Sequence, residues 1–143
     1  MPLLRQTLTL RNDLAEIHRL AAFVDAFCAP LAPTPKDVLS LHLALEEAVT
    51  NVIGHGYADG QPHTFTVELA AADRRVTAVV TDDAPAYDPL ARAEVDITLP
   101  VEQRPIGGLG VHLVKKLMDS ARYERRDGRN ILTLVRTLGP AAS

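Results

Sequence analysis

The sequence of 143 residues has a single cysteine, no tryptophan and no long apolar segment. Because Cys28 is the only cysteine, the chain can form neither an internal disulfide nor a thiolate metal cluster. No apolar run approaches the roughly 20 residues that span a membrane, and the N-terminus lacks the features of a secretory signal. These absences predict a cytoplasmic protein with no membrane partner.

The sequence also lacks a large excess of either positive or negative charge. Lysine and arginine number 15 against 18 acidic residues, and the net charge of −3 gives no electrostatic reason to expect direct contact with nucleic acid. The basic run at 122–126 is interrupted by Glu124, which favours a solvated strand face. A globular chain of this length can bury most of the surface that it exposes when unfolded. We therefore expect one domain over residues 1–143.

The spacing of the apolar residues predicts the order strand, helix, helix, strand, strand, irregular segment, helix, strand, strand. Hairpin-paired strands, with the helices collected elsewhere, favour a two-layer α/β sandwich. Its sheet would be mixed but mostly antiparallel, with three helices on one face. The strands are expected at Leu4–Leu10, His63–Ala70, Arg75–Thr81, Ala121–Arg126 and Asn130–Leu138. The helices are expected from Asn12 or Asp13 to Phe27, from Pro35 to Ile53 and from Val111 to Ser120. At the start of the second helix, Thr34 is a good N-cap and Asp37 completes a capping-box pattern.

A polar stripe lies beside the core face of the second predicted helix. Glu47, Asn51 and His55 are spaced four residues apart, so they lie close to one line along the helix. The amide oxygen of Asn51 is a hard, neutral ligand suited to Mg²⁺. A carboxylate one turn away, on Glu47, can orient or deprotonate an attacking hydroxyl or water. Taken alone, the stripe fits a solvated helix face at least as well, and His55 is expected to be a helix-end or packing residue.

A second motif begins where an apolar strand ends at Asp82 and the chain enters a tight turn. A carboxylate at a strand end can accept a hydrogen bond from an exocyclic amine such as that of adenine, provided that an apolar slot lies beside it. Asp83 and Pro85 are also good turn formers, so the alternative interpretation is an ordinary Asp–Pro turn.

A third motif consists of the glycines at 107, 108 and 110, which precede the third predicted helix. Glycines at that place let backbone N–H groups approach phosphates closely, and the helix N-terminus adds positive potential. No Gly-Lys-Ser/Thr follows them, which excludes a Walker loop. An irregular segment precedes them in place of the first strand, which excludes a Rossmann fingerprint. A simple hinge is the alternative.

In this order, the three motifs resemble the N, G1 and G2 boxes of the GHKL ATPase superfamily. The sequence is most similar to the bacterial anti-sigma factor serine/threonine kinases. The similarity is carried by Leu45–Asn51 with His55-Gly56-Tyr57, and by Gly108-Leu109-Gly110 with Leu117-Met118-Asp119. It extends from the first strand to the terminal hairpin. The resemblance implies a Bergerat-type ATP-binding fold and a single histidine-kinase-like ATPase domain.

The resemblance also implies a role for each motif. Asn51 would hold the Mg²⁺ that bridges the ATP phosphates, and Glu47 would be the general base. Glu46 is adjacent but lies about 100° around the helix, so the spacing to Asn51 selects Glu47. Asp82 would accept the adenine amine. The remaining nucleotide contacts are expected in the G1 turn and the lid, at Ala84, Ala86, Tyr87, Gly107, Gly108, Leu109 and Gly110.

The partners are implied in the same way. In the family, the phosphoryl group goes to a serine on an antagonist protein with the STAS fold. The unmodified antagonist displaces a sigma factor, and phosphorylation reverses that displacement. We therefore expect an ATP- and Mg²⁺-dependent protein kinase that binds both a sigma factor and a STAS-type antagonist. Family members commonly dimerise, so a homodimer is also expected, although no surface is selected for it.

Two departures from the family pattern leave an alternative function open. Ala84 and Ala86 stand where the family usually has glycines, and if those positions need positive φ, each alanine costs about 1 kcal/mol. In the lid, Arg104 can bind phosphate or can instead face the partner protein. The alternative is a nucleotide-binding interaction module that sequesters a partner without phosphotransfer. The presence of Glu47 favours the kinase.

Overall fold

Five strands form one sheet in the order β1-β2-β3-β5-β4. The structure is a computed structural model that describes residues 3–91 and 114–140. Every strand pairing within these two ranges is antiparallel, where a mixed and mostly antiparallel sheet was expected. The strands are β1 (Leu4–Arg11), β2 (Thr64–Ala72), β3 (Arg75–Asp82), β4 (Ser120–Arg126) and β5 (Arg129–Thr137).

Two tight hairpins set the register within the sheet. The β2–β3 turn has positive φ at Asp73 (52°) and Arg74 (64°), and the β4–β5 turn has positive φ at Asp127 (53°) and Gly128 (74°). Positive φ at both central residues is the signature of the type I′ turn, whose twist matches that of the strands. Because the turns fix the pairing, they also decide which side chains face the helices.

The first helix follows a short entry turn. The side chain of Asp13 caps the 3₁₀ turn Leu14–Glu16 by accepting a hydrogen bond from a backbone N–H. α1 then spans Ile17–Cys28, close to the predicted bounds. Burial, together with two nearby carboxylates, raises the pKa of the Cys28 thiol to about 11. The thiol is therefore protonated at neutral pH and is a poor nucleophile.

The second helix begins at the predicted capping box. α2 spans Pro35–Asn51. The Thr34 hydroxyl accepts from the Asp37 N–H, the Asp37 carboxylate accepts from the Thr34 N–H, and both distances are 3.1 Å. At its other end the helix continues as a π-helix over Val52–Gly56. Within the described part of the chain, no helix is both long and apolar enough to cross a membrane.

The hydrophobic core lies between the helices and one face of the sheet. Along β2, burial alternates residue by residue, so one face packs inward and the other meets solvent. Residues 114–117 are also helical; the predicted helix residues before 114 lie outside the described ranges. The largest fully buried apolar side chains are Leu10, Val24, Phe27, Leu41, Leu45, Val49, Val67, Leu69, Val76, Val80 and Leu134. The predicted two-layer α/β sandwich is confirmed.

An ion pair joins the start of α2 to the end of β5. Arg136 donates from Nε and Nη2 to Oδ1 of Asp37 at 3.1 and 3.0 Å. Oδ2 of Asp37 accepts from the backbone N–H groups of Thr34 and Gly139 at 3.1 and 3.0 Å. Burial alone would raise the pKa of Asp37, but these hydrogen bonds outweigh it and lower the pKa. The carboxylate is fully engaged by the protein.

Candidate functional site

The described parts of the predicted motifs meet in a cleft at the other end of β3 and β5. The cleft holds about 390 Å³ of empty space, part of it open to solvent, between α2 and the two strands. Its polar groups include the side chains of Asn51, Asp82 and Asn130. The apolar and aromatic walls are formed by Ala48, Val52, Val80, Tyr87, Pro89, Tyr123 and Leu132.

Asn51 is the last residue of α2 and only 9% of its surface is exposed. Its side-chain amide makes no hydrogen bond to any residue that the structure describes. Buried amides are normally hydrogen-bonded, so an amide that lines a cleft without a partner is available to a ligand. The helix changes to π geometry directly after Asn51, and such turns are frequent at functional sites.

Asp82 ends β3 on the opposite wall and is 8% exposed. Its Oδ1 atom accepts from the Ala84 N–H at 3.0 Å and from Nδ2 of Asn130 at 2.8 Å. In the described part of the chain, no group donates to Oδ2. The carboxylate therefore has one engaged oxygen and one oxygen free to accept a ligand donor, next to apolar walls. That combination suits an exocyclic amine on a flat heterocycle.

The turn after Asp82 lacks the strain that its sequence suggested. Neither Ala84 nor Ala86 has positive φ, so the condition under which alanine would be costly does not hold. Ala84 is buried, and a Cβ placed on Gly56 would stand 3.4 Å from its methyl group. The turn therefore packs directly against the end of the π-helix.

Asn130 is a site residue that the sequence analysis missed as a functional position. It is the second residue of β5 and pairs with Asp82, and its side chain lies between Asp82 and the turn. The available signal was the alternation of β5, where Asn130 occupies an inward position in register with Leu132 and Leu134. A buried amide in an otherwise apolar row indicates either a ligand contact or a structural bridge.

Two pairs of stacked rings lie at the cleft and beside the turn that follows Asp82. Tyr87, which is among the expected nucleotide contacts, lines the cleft and stacks on His55 with ring centroids 5.8 Å apart. The predicted packing role of His55 agrees with this contact. Tyr57 donates from its hydroxyl to Asp83 at 2.7 Å and stacks on His63 at 4.1 Å. Burial is the main cause that raises the pKa of Tyr57, and the hydrogen bond to Asp83 is the second.

The other predicted residues are not brought into this cleft by what is described. Glu47 is half-buried on α2, one turn before Asn51. Gly107, Gly108, Leu109 and Gly110, with Arg104, lie outside the described residues. Across the two described ranges, no three His, Cys, Asp or Glu side chains cluster in a way that could hold a metal. A metal bound through Asn51 would therefore take most of its ligands from phosphates and water.

Comparison with known proteins agrees with the fold. Residues 10–136 match the model of the histidine kinase-like ATPase domain family, and the chain belongs to that family. The predicted superfamily membership is confirmed, and with it the expectation that the domain binds ATP.

Within this family, the chain is similar to proteins named as protein kinases and as an anti-sigma factor. The chain is 31% identical over 101 residues to the serine/threonine-protein kinase BtrW of Bordetella bronchiseptica, covering 71% of each chain. It is 27% identical to the serine-protein kinase RsbW of Halalkalibacterium halodurans over 129 residues, covering 87% of this chain and 77% of the relative. It is also 27% identical to the anti-sigma F factor of Clostridium novyi over 111 residues, covering 76% of this chain and 78% of the relative.

Solved structures share the fold. The structure of the RsbU and RsbW domains of Rv1364c from Mycobacterium tuberculosis superposes with a TM-score of 0.67 at 23% identity. The match covers 99% of this chain and 34% of the other, so the present chain corresponds to about a third of that structure. The histidine kinase domain of a blue-light activated kinase from Erythrobacter litoralis superposes with a TM-score of 0.57 at 14% identity, covering 87% of this chain and 60% of the other.

Proposed function

We propose that the protein is a Mg-ATP-dependent serine/threonine kinase that acts as an anti-sigma factor and phosphorylates a STAS-type antagonist. The named activities of the relatives from Bordetella, Halalkalibacterium and Clostridium support the class. The observation that carries the proposal is that Asn51 and Asp82 line the same cleft, while the Asn51 amide and Oδ2 of Asp82 have no hydrogen-bond partner among the described residues. We expect it to act in the cytoplasm, where sigma factors act.

The donor set of the cleft fits a magnesium nucleotide. Asn51 would supply its amide oxygen to the metal, which accepts hard oxygen ligands and retains water and phosphate oxygens in its remaining positions. Asp82 would accept the adenine amine at Oδ2, while the walls around Val80 and Leu132 would exclude water from the base. The backbone of the turn at Ala84 and Ala86 would frame the base edge.

In phosphoryl transfer, the main contribution of the protein is to position the reacting groups. Bound Mg-ATP supplies an electrophilic phosphoryl group whose developing charge the metal neutralises. In the proposed step, the serine oxygen would bond to the γ-phosphorus as the bond from that phosphorus to the β,γ-bridging oxygen breaks, ADP would leave, and the serine proton would pass to the carboxylate of Glu47. Glu47 lies one turn from Asn51, so the proposed base and the proposed metal ligand share one helix and keep a fixed spacing. The lid contacts at Gly107–Gly110 remain predictions.

The alternative of a binding module without phosphotransfer was suggested by Ala84 and Ala86. Its argument was that alanine would strain a turn built for glycine. Because neither residue has positive φ, the turn gives no reason to expect weakened nucleotide binding. No structural observation therefore favours the binding module, and the phosphotransfer assay described next distinguishes it from the kinase.

Glu47→Gln tests the proposed base. Incubation with labelled ATP and a STAS-fold antagonist should show phosphotransfer reduced by a factor on the order of 10² or more, because the general base is lost. Nucleotide affinity should stay within a few-fold of the wild type. Glu46→Gln is the matched control, since Glu46 is the exposed neighbour on the same helix, and it should transfer normally.

Each contrary result has a defined meaning. Normal transfer by Glu47→Gln would remove the assignment of the base and leave the kinase intact. A wild-type protein that binds Mg-ATP but phosphorylates no STAS-type antagonist would contradict the kinase proposal and support the sequestering module.

A further inference from the structure

The turn after Asp82 is held by a side chain from the far end of the chain. Nδ2 of Asn130 is 3.0 Å from the carbonyl oxygen of Pro85 and 3.3 Å from that of Ala84. On its other side, Oδ1 of Asn130 accepts from the Tyr87 N–H at 3.2 Å. One carboxamide thus engages three successive polar groups of the turn. Arg125 adds a second bond to the Ala84 carbonyl at 2.7 Å.

The orientation of this carboxamide is dictated by its partners. The Tyr87 N–H can only donate, so it must face the amide oxygen of Asn130. The two carbonyl oxygens of the turn can only accept, so they must face the amide nitrogen. The hydroxyl of Tyr123 adds a donor to Oδ1 at 2.5 Å. A flipped amide would place like groups against each other on both sides.

This fixed orientation decides what Asp82 presents to the cleft. Nδ2 of Asn130 donates to Oδ1 of Asp82 at 2.8 Å, which holds the carboxylate in one rotamer. Since Oδ1 is occupied by this bond and by the Ala84 N–H, Oδ2 is the oxygen that can meet a ligand. Asn130 is itself 6% exposed, so solvent does not compete for its bonds.

We propose that Asn130 is a positioning residue that sets the selectivity of this cleft for adenine over purines with an oxygen at the same ring position. An adenine amine donates to Oδ2, whereas the carbonyl of guanine would face it as a second acceptor. The inference rests on the proposed binding of ATP, but not on phosphotransfer. Asn130 acts through Asp82 and through the turn, and without it the carboxylate rotates and the turn loses three bonds.

Asn130→Asp is the sharpest test because it keeps the shape and replaces the amide nitrogen by oxygen. The introduced carboxylate would stand about as close to Asp82 as the amide does, and two carboxylates at that distance share a proton, so the pKa of the pair is raised. Below that raised pKa the shared proton bridges the two groups, and above it they repel. The variant loses the bonds from the amide nitrogen to the carbonyls of Ala84 and Pro85 at every pH, so its affinity for Mg-ATP should lie below that of the wild type throughout. Equilibrium titration should show a further weakening of at least about tenfold between pH 5.5 and pH 8, where the shared proton is lost.

Selectivity is the second readout. The wild type should prefer Mg-ATP over Mg-GTP by about 100-fold or more, with no comparable dependence on pH. Asn130→Asp should reduce that ratio at pH 8. Tyr123→Phe keeps the amide and removes only one donor to it, so it should lower the ratio by a few-fold and serves as the second variant if Asn130→Asp does not fold.

The outcomes separate this inference from the proposed function. Equal loss of ATP and GTP binding at every pH would show a purely structural role and overturn the inference, as would unchanged affinity and unchanged selectivity in both variants. Wild-type protein that binds neither nucleotide would overturn the inference and the kinase together. Selective ATP binding with the predicted pH dependence, but without phosphotransfer, would support the inference and contradict the kinase alone.

Discussion

One buried aspartate lies at each end of the β3–β5 pair, and the protein engages the two carboxylates to different degrees. At one end, Asp37 packs against β5 with both oxygens occupied by Arg136 and by two backbone N–H groups. At the other end, Asp82 has both of its described bonds on a single oxygen. Both side chains are nearly inaccessible to solvent, so burial alone does not distinguish them.

The difference separates a structural carboxylate from a binding carboxylate. A buried charge whose acceptor sites are all occupied by the protein has nothing left to offer a ligand. Asp82 is a buried charge whose second oxygen has no donor in residues 3–91 and 114–140, and it shares a cleft with the Asn51 amide, which has no partner in those ranges either, so it can accept a hydrogen bond from a ligand. Oδ2 of Asp82, which has no donor among the described residues, therefore distinguishes the carboxylate of the cleft from Asp37.

Asp37→Ala should produce the largest effect on stability. It removes the acceptor of four hydrogen bonds and leaves the guanidinium of Arg136, 13% exposed at its side chain, without its carboxylate. The free energy of unfolding should fall by about 3 kcal/mol in chemical denaturation. Asp25→Ala is the matched control, because Asp25 is 65% exposed and pairs with His42 at the surface. It should change stability by less than about 1 kcal/mol. Equal losses of stability in the two variants would contradict the structural role of Asp37.

Asp82→Asn should produce a smaller effect than Asp37→Ala. The affinity for Mg-ATP should fall, and the stability of the fold should not. The new amide can no longer act as a pure acceptor for an adenine amine, so Mg-ATP affinity should fall about 10- to 100-fold, the worth of a hydrogen bond to a charged group. The matched control is Asp83→Asn, since Asp83 is the exposed neighbour that bonds Tyr57. Its affinity should stay near that of the wild type. If Asp82→Asn unfolded the protein without a selective loss of nucleotide binding, Asp82 would be a structural carboxylate like Asp37.

The elements and the motifs were predictable from the sequence, because they depend on local signals. Alternation gave the strands to within one or two residues, and Thr34 with Asp37 gave the start of α2. The π geometry after Asn51 leaves no mark on the spacing of side chains, so it could not be foreseen. Residues 107–110 remain sequence predictions.

The bonds that define the two ends could not be predicted, since they join distant parts of the chain. Arg136 and Asp37 are 99 positions apart, and Asn130 and Asp82 are 48 apart. Whether Ala84 needs positive φ could not be decided from the sequence for the same reason, and in the structure it does not have it. The shape of the turn is set by Asn130 and Arg125, and not by the turn residues alone.

Thermal unfolding with and without Mg-ATP, in the wild type and in Asn51→Ala, tests the central claim most directly. At a nucleotide concentration near 100 times Kd, binding should stabilise the wild type by about 2.7 kcal/mol and raise Tm by several degrees. Asn51→Ala should keep the unliganded Tm, because its amide has no bond among the described residues to lose, and should lack the magnesium-dependent part of the increase. No increase in the wild type at millimolar Mg-ATP, or an equal magnesium-dependent increase in Asn51→Ala, would contradict the account.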